Sequence, residues 1–173
     1  MTSSLAKLLR ESISNEEEVT TINREINHIE NYLTIQKMRY KDKLEFIIDV
    51  EESIYNVKII KLILQPIVEN AIYHGVKYKE GKSLILISGF NCGNDIEIIV
   101  KDTGIGMDKD QLDHIFDRCK KSEKNTGVGI YNVQMRLQLA YGEKYGLTYE
   151  SKKLEGTTVK IRIPKKEELE YEK

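Results

Sequence analysis

The chain of 173 residues carries 27 lysines and arginines against 28 aspartates and glutamates, which gives a formal net charge of −1. This length indicates one domain, or one domain with an arm, and the balanced charge argues against a basic surface for duplex nucleic acid. Two cysteines, Cys92 and Cys119, favour free thiols in a reducing compartment over a disulfide framework. No apolar run approaches the ~20 residues that span a bilayer, and no signal peptide is recognisable, so we expect a cytoplasmic domain without membrane contact.

Residues 1–41 are predicted to form a helical arm. Residues 4–13 place their aliphatic side chains on one helical face, and a longer helix is predicted from 20 to 40. In that helix Ile22, Ile26, Ile29 and Leu33 are spaced close to a heptad seam. Two interpretations remain open: a helix packed on its own domain, or the tail of an arm that dimerises.

Residues 42–165 are predicted to form the main domain, followed by a charged tail at 166–173. The apolar spacing predicts strands at 44–50, 84–90, 96–101, 147–153 and 157–163, and helices at 59–74, 108–116 and 129–141. A capping box at Asp108 and Gln111 opens the second of these helices, and Pro66 should bend the first helix or mark its first turn. This order predicts an α+β fold, a two-layer α/β sandwich with a mixed, mainly antiparallel sheet and helices on one face.

Two segments carry side chains suited to a nucleotide. Residues 65–75 read Gln-Pro-Ile-Val-Glu-Asn-Ala-Ile-Tyr-His-Gly, in which Asn70 offers an amide oxygen, a hard neutral ligand for magnesium. Residues 101–107 read Lys-Asp-Thr-Gly-Ile-Gly-Met. The carboxylate of Asp102 only accepts hydrogen bonds, which suits the exocyclic amine of adenine and repels the carbonyl oxygen of guanine. Gly104 and Gly106 allow the backbone to pass close to a flat base.

Two glycine motifs follow. Gly127-Val128-Gly129 precedes a helix, whose N-terminal amides favour phosphate, and Gly156-Thr157-Thr158 opens the last predicted strand. In this order the four segments resemble the ATP-binding catalytic domain of sensor histidine kinases of the LytS/YesM type, in the GHKL ATPase superfamily. The resemblance covers roughly residues 5–164. It implies a Bergerat-type ATP-binding fold, a protein-histidine kinase, and ATP and Mg²⁺ as cofactors.

The resemblance also implies roles for single residues. It makes Asp102 the adenine-reading group, beside Gly104 and Gly106, and makes Thr157 the support of that carboxylate, with Thr158 next to it. The residues that it places near the phosphates are Thr126, Gly127, Val128 and Gly129.

In the first motif the resemblance makes Asn70 a catalytic residue that coordinates the metal. Glu69 either orients a metal-bound water, as a second catalytic residue, or is a surface acid. His74 either contacts phosphate or simply ends the helix. Family members usually carry a lysine where this chain has Tyr73, and Lys77 and Lys79 are candidates for the missing charge.

The second half of residues 107–126 has no regular pattern and is basic, which is typical of a lid over a triphosphate or of a solvated loop. The family's acceptor histidine lies upstream, in a sequence context that is absent around His28, His74 and His114. We therefore expect a catalytic fragment that lacks the phosphoacceptor histidine.

The expected function is the binding of Mg-ATP and transfer of its γ-phosphoryl group to a histidine on a separate helical domain, in two-component signalling. The expected partners are that domain, in a dimeric protein of the bacterial cell membrane, and a response regulator, with no nucleic acid. The alternative is a nucleotide-gated protein-interaction module, which the missing lysine keeps open. An ATP-hydrolysing relative is disfavoured by Pro66, which stands where such enzymes carry a glutamate. A serine kinase of the anti-sigma type is disfavoured by the arm.

Overall fold

The computed structural model describes residues 19–115 and 128–165. Seven strands lie in this part of the chain: β1 Val19–Thr21, β2 Leu44–Val50, β3 Lys58–Ile60, β4 Ser83–Cys92, β5 Asp95–Asp102, β6 Gly146–Lys152 and β7 Gly156–Pro164. Five of them form one sheet in the order β2-β4-β5-β7-β6, in which β2 is parallel to β4 and the other pairs are antiparallel. The mixed, mainly antiparallel sheet that the sequence predicts is confirmed.

Four α-helices accompany the strands in the described residues: α1 Ile22–Tyr40, α2 Leu64–Asn70, α3 Lys109–Asp113 and α4 Val128–Tyr141. A π-helical turn, Ala71–Val76, continues α2. Alternate residues of the central strands are buried, such as Ile96, Ile98 and Val100 on β5, and they join the helices in one apolar core. Because side chains alternate across a strand, this pattern leaves one face of the sheet for the helices, as in the predicted sandwich.

The arm helix packs on its own domain from its first residue. Ile22, Ile29 and Leu33 are fully buried and Ile26 is nearly so, all within the same core as the sheet. Thr21 caps the helix, because its hydroxyl oxygen accepts a hydrogen bond from the backbone N–H of Arg24 at 3.4 Å. Of the two interpretations of this segment, packing on the domain is the one that residues 22–33 adopt.

A buried carboxylate joins α1 to α2. Glu25 is only 5% exposed, and its two carboxylate oxygens accept hydrogen bonds from the backbone N–H groups of Leu62, at 2.8 Å, and Leu64, at 3.4 Å. The first N–H groups of a helix have no partner within the helix and favour a negative charge, so Glu25 caps α2 from outside it. The start of α2 is thereby fixed to the arm.

The predicted helix at 59–74 is wrong in its first five residues. Lys58–Ile60 instead forms β3, which pairs with β1 in a separate two-stranded sheet. Leu62, which lies within the predicted helix, has a φ of 59° and is 50% exposed. The helix begins at Leu64, so Pro66 lies in the first turn, where its missing N–H costs no hydrogen bond. The helix predicted at 20–40 likewise begins two residues later, because Thr20 and Thr21 belong to β1.

The local signals of the second half are confirmed. β4 and β5, which include the strands predicted at 84–90 and 96–101, form an antiparallel hairpin with Cys92 opposite Asp95 and a left-handed Gly93 at φ 74° in the turn. Both hydrogen bonds of the capping box between Asp108 and Gln111 are present at the start of α3. The predicted end of that helix at 116 and the basic segment after it lie outside the described residues. No helix in the described ranges is long and apolar enough to cross a bilayer.

Candidate nucleotide site

A buried carboxylate stands where β5 ends. Asp102 is 7% exposed, and its Oδ1 accepts a hydrogen bond of 2.7 Å from the backbone N–H of Gly104. Gly75, from the π-helical turn, packs directly against this corner. A Cβ atom on Gly104 would lie 2.1 Å from the Cα of Gly75 and 2.6 Å from Asp102 Oδ1. Both motifs that the sequence assigns to the nucleotide therefore meet here, through a contact that excludes side chains at Gly104.

Burial raises the pKa of Asp102 to about 6, because a charged carboxylate is costly away from water. Backbone hydrogen bonds from Gly104 and Thr157 and the charge of Lys79 partly offset this rise in pKa. The result is a carboxylate that is charged near neutral pH yet poorly solvated. Such a group can bind a ligand donor strongly, and perturbed buried carboxylates of this kind cluster at functional sites.

The loop after Asp102 is fastened to the β6–β7 hairpin by Ser151. The Ser151 hydroxyl donates to the Gly156 carbonyl at 2.9 Å and accepts from the backbone N–H of Met107 at 2.9 Å. Gly106 has a φ of 60°, and a Cβ atom there would lie 2.0 Å from the carbonyl oxygen of Lys152. A residue with a side chain at Gly106 would push the loop off the hairpin, so this glycine fixes the loop that carries Gly104.

The two threonines of the Gly156-Thr157-Thr158 motif lie on opposite faces of the sheet. Thr157 is opposite Asp102 in the β5–β7 ladder, and its hydroxyl lies 2.9 Å from that of Ser151. Thr158 is opposite Lys101 and Glu150, on the face away from the buried carboxylate. The structure therefore brings Thr157 to the corner of Asp102 and leaves Thr158 outside it, because successive residues of a strand point in opposite directions.

Asn70 is the last residue of α2 and borders a cavity of about 320 Å³. The residues that line this cavity are Tyr32, Gln36, Arg39, Tyr40, Pro66, Glu69, Asn70, Ile72, Tyr73, Gly129 and Ile130. Asp102 is not among them. The cavity and the Asp102 corner lie at the two ends of the π-helical turn, which begins after Asn70 and contains Gly75. π-Helical turns inside helices are frequent at functional sites.

Glu69 lines the same cavity and is held by a chain of hydrogen bonds. The amide of Gln65 donates to Glu69 Oε1 at 2.8 Å, and Gln65 Oε1 lies 2.9 Å from Nε2 of His28. Because that amide oxygen can only accept, the network assigns the proton to Nε2 of His28. His28 is an exposed residue of α1. Glu69 is exposed, and the hydrogen bond from Gln65 fixes the orientation of its carboxylate. This position fits both interpretations, a residue that orients a metal-bound water and a surface acid.

The lysines suggested for the missing charge have other partners. The ammonium group of Lys79 donates to the backbone carbonyl oxygen of Thr103. Lys77 lies 4.4 Å from the ring centroid of Tyr73, whose hydroxyl accepts a hydrogen bond of 3.2 Å from Tyr78. That bond and the charge of Lys77 lower the pKa of Tyr73. Lys77 thus packs against an aromatic pair, Tyr73 and Tyr78, and Lys79 is bound to the loop after Asp102.

His74 packs edge-on against Tyr73, with 4.9 Å between ring centroids. His74 as a whole residue is exposed, but its imidazole ring is partly buried. This burial lowers the pKa of His74 and favours the neutral imidazole at physiological pH. A contact between His74 and phosphate would therefore rest on a hydrogen bond more than on charge.

The remaining predicted phosphate contacts lie at the start of α4. Gly129, its second residue, lines the cavity, and a Cβ atom there would lie 3.3 Å from Cβ of Pro66. Thr126 and Gly127 lie outside the described residues, as does the side chain of Val128. Within residues 19–115 and 128–165, no three histidine, cysteine, aspartate or glutamate side chains are grouped to hold a metal. A metal at Asn70 would take further ligands from phosphate and water, as Mg²⁺ commonly does.

Sequence reasoning missed the contribution of the arm to this site. Tyr32, Gln36, Arg39 and Tyr40 of α1 form one wall of the cavity. The sequence shows how these residues are spaced along a helix, but which of them lie next to α2 depends on how the two helices pack. Gly75 was also missed as the contact of Gly104, although it ends the first motif.

Solved structures with the same architecture define the class of this domain. The catalytic domain of the histidine kinase ThkA superposes with a TM-score of 0.67 over 85% of this chain and 94% of that one, at 16% sequence identity. The mycobacterial sensor histidine kinase MprB gives a TM-score of 0.60 at 18% identity, over 85% of this chain and 96% of that one. At these identities the likeness shows the fold, that of a histidine-kinase catalytic domain.

Sequence comparison gives the family. The model of the histidine kinase-, DNA gyrase B- and HSP90-like ATPases matches residues 56–167, and a histidine kinase model matches residues 1–44. The chain belongs to the histidine kinase-, DNA gyrase B- and HSP90-like ATPase family. Among its relatives are the sensor histidine kinases YesM of Bacillus subtilis, 34% identical over 98% of this chain, and YpdA of Escherichia coli, 36% identical over 92%. The chain spans only 28% and 27% of their lengths.

Proposed function

We propose that this chain binds ATP with Mg²⁺ and transfers the γ-phosphoryl group to a histidine on a separate helical domain. The observation that carries the proposal is the corner formed by Asp102, Gly104 and Gly75, where a buried carboxylate meets two glycine backbones. Family membership supports ATP as the nucleotide, because the matching family is one of ATPases.

The chemistry of the corner favours adenine. Adenine presents an amine at the edge where guanine presents a carbonyl oxygen, and the carboxylate of Asp102 can only accept. Guanine would place two acceptors against each other in a site that excludes most water. The close packing of Gly75 and Gly104 keeps side chains away from the place where a flat base would lie.

The residues at the cavity fit a metal-bound triphosphate. Asn70 would hold Mg²⁺ through its amide oxygen, Gly129 would present the start of α4 to phosphate, and Glu69 would accept a hydrogen bond from a metal-bound water. The metal would supply charge neutralisation at the bridging and terminal phosphate oxygens. The protein's own part in such a transfer is mainly to position the reactants and exclude water.

In the proposed transfer, a ring nitrogen of the acceptor histidine forms a bond to the γ-phosphorus while the bond from that phosphorus to the bridging oxygen breaks. ADP leaves with the bonding electron pair, and phosphohistidine is formed. The acceptor would lie on a helical domain of the same, dimeric protein, which would be anchored in the bacterial membrane and pass the phosphoryl group to a response regulator. This part of the proposal rests on relatives named as sensor histidine kinases.

Phosphotransfer to a supplied acceptor tests the function. Incubated with γ-labelled ATP, this chain should form no phosphohistidine by itself, because His28, His74 and His114 lack the acceptor's context. Mixed with the separately expressed upstream helical domain, it should produce acid-labile label on that domain. The variant Asp102→Asn should label it far more slowly. Label on this chain that disappears in His28→Ala would show that the acceptor is misplaced.

The same experiment separates the alternative. A nucleotide-gated interaction module would bind ATP but transfer nothing to the added domain, and the tyrosine at position 73 in place of lysine is the feature that favours it. Steady hydrolysis of ATP is disfavoured, because Pro66 occupies the first turn of α2, one turn before Asn70, and offers no group to activate water.

Substituting Asn70 by alanine should abolish the magnesium dependence of ATP binding and leave the fold intact. The side chain is half-buried at the end of α2, away from the apolar core, so its loss costs little stability. Titration calorimetry with and without Mg²⁺ measures the effect, and Asn31→Ala, which removes the same side chain from an exposed position of α1 outside the cavity, is the matched control. A variant that responds to magnesium as the parent does would show that Asn70 is not a ligand.

A further inference from the structure

The cavity beside Asn70 has one cationic side chain among the described residues that line it. That residue is Arg39, in the last turn of α1, and the carboxylate among them is that of Glu69. Cavity walls are more often apolar, so a guanidinium group on one of them indicates an anionic ligand. Arg39 lines this cavity together with Asn70 and Gly129, although it belongs to the arm.

The charge of Arg39 acts on Tyr32, another residue that lines the cavity. Burial raises the pKa of Tyr32, the charge of Glu69 raises it further, and the charge of Arg39 lowers it. Both charges therefore act on the same hydroxyl, which lines the cavity. The guanidinium carbon also lies 5.6 Å from the ring centroid of Tyr40, another lining residue. Aromatic contact restricts the side chain without neutralising its charge.

Lys77 and Lys79 do not line this cavity, Lys79 donates to the Thr103 carbonyl oxygen, and His74 favours its neutral form. Arg39 by contrast makes no ion pair with a carboxylate in residues 19–115 and 128–165. Among the described residues that line the cavity, Arg39 is therefore the cation whose hydrogen-bond donors are available to a ligand.

We propose that Arg39 binds the terminal phosphates of the nucleotide whose metal Asn70 holds, and so selects a triphosphate over a monophosphate. The proposal rests on the proposed function. A guanidinium group offers paired donors that match two phosphate oxygens, which makes it suited to this contact. The nucleotide would then lie between α2 and the arm, with its base at Asp102 and its phosphates toward α1.

Calorimetric titration with Mg-ATP and with AMP tests this role. Arg39→Gln should weaken ATP binding by about tenfold to a hundredfold and change AMP binding by less than about twofold, since a charge-assisted contact to the terminal phosphates is lost. Arg24→Gln is the matched control, because it removes the same charge from an exposed position of the same helix, outside the cavity. Arg39→Lys should recover part of the lost ATP affinity. Both exposed positions should tolerate glutamine without a change in melting temperature.

The outcomes distinguish a failure of the proposed role of Arg39 from a failure of the proposed function on which it rests. If the parent binds neither nucleotide, the proposed function fails and the role of Arg39 fails with it. If the parent binds ATP and Arg39→Gln binds it equally well, only the role of Arg39 is overturned. An equal loss for ATP and AMP would also overturn it, because a phosphate contact cannot weaken the monophosphate complex as much. If Arg39→Lys bound ATP no more tightly than Arg39→Gln, a role that depends on charge would be contradicted.

Discussion

Replacing Asp102 by asparagine should weaken ATP binding by about tenfold to a hundredfold. The asparagine keeps the shape of the side chain and an acceptor for Gly104, but it removes the charge from the hydrogen bond to the adenine amine. A hydrogen bond to a charged group contributes about 1.5–3 kcal/mol, which gives this range. Because the group is 7% exposed, water cannot replace the lost contact easily.

Thermal shift with ATP, ADP and GTP provides the measurement, since only a ligand that binds the folded state raises its melting temperature with concentration. The parent should respond to ATP and ADP and not to GTP, and the variant should respond weakly to all three. Equal stabilisation of the parent by GTP and ATP would contradict the assignment of adenine to this corner.

The same substitution should stabilise the empty protein at neutral pH. The folded-state pKa of Asp102, about 6, lies above the ordinary value of 3.8 for an aspartate, so the folded state binds more protons than the unfolded state between these values. The free energy of unfolding of the parent therefore falls as pH rises from about 4 to about 6, by roughly 3 kcal/mol at most. Asparagine has no such titration, so the stabilities of variant and parent should diverge through this window. Parallel pH profiles would show that burial does not perturb this group.

Alanine at Gly104 should destabilise the fold by more than about 3 kcal/mol. The added Cβ atom would lie 2.1 Å from the Cα of Gly75, which is backbone and cannot rotate away. Overpacking a well-packed site costs about 1–3 kcal/mol when side chains can adjust, and this contact requires the π-helical turn to separate from the strand end. Nucleotide binding should be lost with it, because the turn connects Asp102 to Asn70.

Urea unfolding measures this effect, and Gly93→Ala is the matched control. Gly93 has a φ of 74° and open space around it, so alanine there reports backbone strain alone, about 1 kcal/mol. If the two variants lose similar stability, the contact between Gly75 and Gly104 is not close-packed in solution.

Local signals explain which parts of the fold could be predicted. The strand at 44–50 has the predicted bounds, because the apolar run and the changes of pattern at both of its ends can be read from the local sequence. The capping box at Asp108 is equally local. By contrast, Ile59 and Ile60 were assigned to a helix, since a short apolar run fits either structure, and their strand depends on pairing with residues 19–21. Pairing between segments that are far apart in the sequence produces no recognisable pattern in either segment.

The candidate site divides in the same way. The residue types of Asp102, Gly104 and Asn70 indicate their chemistry, and the structure places the first two at one corner and the third at the cavity. Their roles toward ATP and Mg²⁺ remain predictions. The contact of Gly104 with Gly75 and the wall that Arg39 joins depend on how α1 and α2 pack, which composition does not determine.

The cap that Glu25 places on α2 bears on how this domain can be divided. The two family models meet the chain on either side of residues 45–55, yet the carboxylate that completes the second segment's first helix comes from the first segment. A domain trimmed to the second segment would leave the N–H groups of Leu62 and Leu64 without their acceptor and would open the core around Ile22 and Ile29. The arm and α2 therefore form one structural unit, in which a rotation of the arm would turn the helix that carries Asn70.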